Sequence, residues 1–135
     1  MITEDYVSFE TAKFLKEKGF DEPCHCFYEY KKRLYNDMDK YFPNGMKNSD
    51  HDKEGNKGVS APTQAMAMKW LREVHNLFIF PFPQINTNKF WTEIYQLSDN
   101  QEWKNIYCES IDLQDYPTYE QAAEAAIKYC LEHLI

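Results

Sequence analysis

The chain has 135 residues, 43% of them hydrophobic and 16% aromatic, which is enough for one domain over residues 1–135 with a core that needs no disulfide or metal staple. Its formal charge of −7 is placed unevenly: residues 1–58 carry 10 basic and 12 acidic side chains, residues 59–135 carry 5 and 10. Such a surface disfavours direct nucleic-acid binding and docking on anionic membrane, and is open instead to a partner protein with a basic surface or to imitation of nucleic acid.

The N-terminus, MITEDYVSFE, lacks a basic region followed by an apolar core. No apolar run approaches the ~20 residues that span a bilayer. The expectation is a cytoplasmic protein in which Cys24, Cys26, Cys108 and Cys130 are thiols.

The first predicted helix lies in SFETAKFLKEKGF. Ser8 is its N-cap, Glu10 faces the positive dipole end, Ala12 and Leu15 form its apolar side, and Gly19 with Phe20 supplies a Schellman ending. Residues 24–35, CHCFYEYKKRLY, read as a β-hairpin turning near Lys31, Lys32 and Arg33. Residues 44–58, NGMKNSDHDKEGNKG, contain one apolar side chain in fifteen and read as a mobile polar loop, since so little burial cannot offset the entropy of ordering.

The organising stretch is APTQAMAMKWLREVHNLFIFPF, residues 61–82, in which an amphipathic helix runs into a strand. Pro62 suits the first helical turn, Met66, Ala67, Trp70, Leu71 and Val74 share one stripe, and Asn76 suits a left-handed stop. LFIFPF then reads as a strand buried on both faces near its start, with Pro81 and Pro83 pushing its end to a sheet edge. FWTEIYQL and NIYCESIDL follow as two further strands of an antiparallel meander. The last helix starts at the capping pair Thr118 and Gln121, with Ala123, Ile127, Cys130, Leu131 and Leu134 on its apolar stripe. SFETA near the start and TYEQA before this helix share one scheme, a hydroxyl cap, an anchoring ring and a dipole-matched carboxylate. The predicted fold class is α+β: three helices on a mainly antiparallel sheet, in the order α-β-β-α-β-β-β-α.

Chemistry-bearing motifs are sparse. Asp50, His51, Asp52, Glu54 and Gly55 imitate the first half of a calcium loop, but the twelfth position is Ala61, which offers no carboxylate. Cys24 and Cys26 flank His25 at a spacing tighter than zinc motifs use, so no metal is expected. Phosphate-cradling and nucleophile-elbow motifs are absent, no cofactor is expected, and the chain leans away from catalysis. Arg72, Glu73 and His75, in the last turn of the central helix, are the candidate ligand-binding groups.

Three blocks, YVSFETAKFLKEKGFDEPC, APTQAMAMKWLREVHNL and TYEQAAEAAIKYCLEHLI, resemble a family of small uncharacterised proteins of gut bacteria and of their phages and mobile elements. A weaker likeness is to the small α+β "ABA sandwich" domains of phages. The resemblance implies no activity. The function expected is therefore a non-enzymatic interaction module, a phage or mobile-element accessory protein that binds a host protein. The alternative is a small-ligand binder or minor enzyme with a pocket between sheet and helices.

Overall fold

The computed structural model describes residues 1–29, 34–35, 42–53, 58–108 and 115–135, with the backbone alone described at Cys108. The described chain divides into two compact units, Met1–Thr63 and Gln64–Ile135. Each holds a three-stranded antiparallel sheet and two helices, which bears out the α+β class.

In the N-terminal unit, helix α1 (Phe9–Glu17) is bounded as its local sequence dictates. Thr11 N donates to the Ser8 hydroxyl at 3.2 Å, and the chain leaves through Gly19 at φ +93°. Gly19 N donates to Lys16 O at 3.1 Å and Phe20 N to Leu15 O at 2.9 Å, the paired bonds of a Schellman ending. Strands β1 (Phe27–Tyr28) and β2 (Leu34–Tyr35) pair antiparallel, Phe27 opposite Tyr35. The turn expected between them lies outside the described residues.

The segment expected to be a polar loop instead carries a helix, α2 (Asn48–Lys53), and leads to strand β3 (Val59–Ser60), which joins the far side of β1. Apolar content misjudged it because two of its polar residues, Asn48 and His51, are buried. Asn48 Nδ2 donates to Phe20 O at 2.7 Å, and Asn48 Oδ1 accepts from Ser60 N at 2.9 Å, so one amide satisfies two buried backbone groups. Asp21 holds the start of α2, accepting from Ser49 N at 2.8 Å and Ser49 Oγ at 2.9 Å. Burial alone would raise the Asp21 carboxyl, but these bonds, with the charges of Lys47 and Lys53, carry it below its ordinary value. Lys16 ties α1 to the same region through Asp52 Oδ1 at 2.7 Å and Gly58 O at 3.2 Å. Gly45, at φ +75°, lets Met46 and Cys24 exchange backbone bonds, and any Cβ there would meet the Cys24 backbone at 3.1 Å.

The C-terminal unit opens with helix α3 (Gln64–His75), two residues later than expected. Pro62 stays outside the helix because its carbonyl accepts from Val7 N, and Thr63 bridges to Tyr6. The buried face of α3 is also rotated from the expected stripe. Gln64, Ala67, Trp70 and Leu71 are buried, whereas Met66 is 40% and Val74 56% exposed. Gln64 belongs inside because its Nε2 donates to Glu120 O at 2.9 Å and Glu124 Oε2 at 3.2 Å on the last helix. Asn76 ends α3 at φ 57°, and strand β4 (Leu77–Pro83) starts at the next residue.

Strand β4 is the edge of a sheet ordered β4-β5-β6, with β5 (Phe90–Leu97) central and β6 (Trp103–Cys108) beyond it. Tyr116 bridges to Phe90 after β6, and the residues of NIYCESIDL past Cys108 lie outside the described set. Helix α4 (Tyr119–Tyr129) starts at the Thr118 cap, whose Oγ1 accepts from Gln121 N at 3.1 Å, and ends in a π-helical turn, Cys130–Leu134. Its buried Ala122, Ala123, Ala126 and Ile127 lie against β4 and β5.

Candidate interaction surface

A strand's side chains alternate between faces, so the register of β4, β5 and β6 sorts them into two sets. Leu77, Ile79 and Pro81 on β4 share a face with Thr92 and Ile94 on β5, and all five are buried under α4. Thr92 Oγ1 donates to Ala122 O at 3.1 Å, which identifies this as the helix-covered side. The opposite face carries Phe78, Phe80, Phe82, Trp91, Glu93, Tyr95, Leu97, and, from β6, Trp103 and Asn105. The expectation that LFIFPF is buried on both faces near its start is therefore corrected, since Leu77 is buried but Phe78 only half-buried. Phe78, Phe80 and Phe82 stand on the side opposite α4, with Phe80 48% exposed, Phe78 and Phe82 half-buried, and the Trp91 Nε1 beside them buried.

The outer rings form a continuous row. Phe78 meets Trp103 edge to face at 5.9 Å between centroids and Phe80 at 6.4 Å, Phe80 stacks on Phe82 at 5.5 Å, and Phe82 meets Trp91 at 5.2 Å. Trp103 is 46% exposed and Ile106, at the bulge of β6, 40%. Aromatic pairs of this kind hold each other in place, so the face is apolar and ordered before anything docks on it. Among the described strand residues of this face, Glu93 is the one charged side chain, and the Tyr95 hydroxyl donates to it.

Of the three residues singled out in the sequence, only Arg72 reaches this surface. Its guanidinium carbon lies 5.9 Å from the centre of the Phe78 ring. Glu73 is exposed and faces Lys69 at 3.9 Å one turn back on α3. His75 packs its ring against Trp70 at 4.7 Å, its Nε2 is buried without a hydrogen-bond partner among the described residues, and burial lowers its pKa. The three side chains thus lead in different directions. Neither described cavity includes them. One, of about 360 Å³, is lined by Gln96, Leu97, Ser98, Asp99, Lys104 and Ile106, and the other, of about 180 Å³, by Phe42, Gly45, Met46, Asp50 and Lys53.

The calcium-like residues diverge as well. Asp50 accepts from Lys47 N at 3.0 Å, Asp52 pairs with Lys16, and His51 is buried with its ring 4.9 Å from Phe27. Among the described residues no group of three His, Cys, Asp or Glu side chains is placed to hold a metal ion. Cys24, Cys26 and Cys130 are buried free thiols, and burial pushes Cys24 and Cys130 up to about 12. No described helix is long and apolar enough to cross a membrane.

The aromatic row was missed in the sequence although its signal is present. Leu77, Ile79 and Pro81 alternate with Phe78, Phe80 and Phe82, and the uniform greasiness of the run conceals that period of two. No protein-family model, no curated protein and no solved structure matches the chain.

Proposed function

We propose that the chain is a non-enzymatic interaction module whose docking surface is the outer face of the β4-β5-β6 sheet. The observation that carries this is the mutually braced row of Phe78, Phe80, Phe82 and Trp103, of which Phe80 and Trp103 are exposed and Phe78 and Phe82 half-buried. Large aromatic side chains at the centre of a protein contact are the usual source of its affinity, because they bury much area at little entropic cost. The acidic balance of residues 59–135 suits a host protein with a basic surface. A small-ligand or enzymatic role would need polar groups converging on a cavity, and Arg72, Glu73 and His75 diverge.

Within this reading the chain serves a phage or mobile element as an accessory protein in the reducing cytoplasm. The support is the family resemblance, together with three thiols that are buried and unpaired.

The test is capture at low salt from a lysate of a gut-bacterial host. Wild-type bait should retain a stoichiometric partner, and baits carrying Phe80→Glu or Trp103→Glu should lose it with their thermal midpoints unchanged. Capture that survives both substitutions overturns the reading.

A further inference from the structure

We infer that the docking face takes an arginine side chain of its partner, seated on the Phe80 ring and paired with Glu93; this rests on the docking role proposed above. Phe80 and Glu93 are register partners across β4 and β5, so their side chains leave the same face with Cβ atoms about 5 Å apart. A half-exposed ring beside a carboxylate is a two-part receptor for a cation. The ring's negative face attracts the charge, and the carboxylate accepts its hydrogen bonds. The Tyr95 hydroxyl fixes the Glu93 carboxylate in place, which spares the ordering cost on binding.

The face already accommodates one such group. Arg72 holds its guanidinium over Phe78, the next ring of the row, so the spacing and polarity of this surface are compatible with a stacked guanidinium. Arginine fits better than lysine, because a planar, weakly hydrated guanidinium both lies flat on a ring and presents a fork to a carboxylate. Charge complementarity favours a basic partner over a second copy of this chain. Two copies, each at −7, would bring acidic surfaces together across the same face.

The probe is a blocked pentapeptide alternating leucine and arginine, with lysine and citrulline versions, titrated into the full chain while the Phe80 ring and Trp103 indole resonances are followed. The arginine peptide should shift both signals, and the citrulline version should bind about tenfold more weakly, the loss expected when a charge-assisted pair becomes neutral. Glu93→Gln should weaken the arginine peptide by a similar factor, and Phe80→Leu, which keeps the apolar bulk, should erase the preference for arginine over lysine. The inference is overturned if citrulline binds equally well, if Glu93→Gln changes nothing, if a neutral hexasaccharide shifts the same signals more strongly, or if the free protein dimerises through Phe80 in sedimentation. Should Phe80→Glu abolish partner capture while Glu93→Gln leaves peptide binding intact, the docking face stands and the arginine falls. Capture that survives Phe80→Glu and Trp103→Glu removes both.

Discussion

The two units solve the same problem, a three-stranded antiparallel sheet backed by helices, with different chemistry. In Gln64–Ile135 the strands run six to eight residues and the helices close over them with alanine, isoleucine and leucine. In Met1–Thr63 each strand runs two residues among the described ones, too few for the described ladder to hold by itself, and the fixed points are buried polar side chains bonded to backbone. Asn48 is the clearest, joining Phe20 O to Ser60 N. The difference teaches that a segment poor in apolar residues can still be ordered when a buried amide such as that of Asn48 bonds backbone on both of its sides.

Substitutions can break this contrast or sharpen it. The largest effect is expected at Ile94, fully buried in the central strand β5, where Ile94→Ala should cost about 2–5 kcal/mol through the cavity it leaves. Denaturant unfolding measures it, and amide exchange should rise most along β4, β5 and β6. Asn48→Leu should cost nearly as much, about 2–4 kcal/mol, although it adds apolar volume, because two buried backbone groups lose their partner. If Asn48→Leu proves neutral, the N-terminal unit is held by burial like its neighbour and the contrast collapses.

Thr92→Val sharpens the comparison from the other side. The Thr92 hydroxyl supplements an alanine-rich helix contact, so its loss should cost only about 1 kcal/mol. The two helix caps should behave alike despite their different surroundings, since each is a local bond. Ser8→Ala and Thr118→Ala should each cost about 0.5–2 kcal/mol, read as a lowered thermal midpoint.

The smallest effect concerns pH. His75 is kept neutral by burial, so below its ordinary pKa, about 6.5, the unfolded chain binds more protons than the folded one. Stability should therefore be full above that value and decline as pH falls through the depressed folded pKa. His75→Phe should flatten that decline in denaturation midpoints measured across the range.

How much of this was legible depended on how local the determining physics is. The caps at Ser8 and Thr118, the Schellman ending at Gly19 and the left-handed stop at Asn76 were readable because each is decided within a few residues. Helix α2 was not, since Asn48 is buried only by virtue of Phe20 and Ser60, 28 and 12 residues away. The stripe of α3 was drawn from hydrophobicity alone, and Gln64 displaced Met66 and Val74 from the core by bonding to α4. The aromatic face of the sheet fell between these cases. Its alternation is local, but which side of a strand stays bare is decided by where α4 packs.

Strand β4 borders the sheet and carries Pro81 and Pro83, two residues apart. Both ring nitrogens must point away from β5, so the rim lacks N–H donors at alternate positions along its outer half. An incoming extended peptide finds no donors there to zip onto, which denies the chain a route to open-ended stacking of sheets. Along that half of the rim, a surface rich in phenylalanine and tryptophan therefore lies beside a strand edge that offers no donors for lateral growth of the sheet.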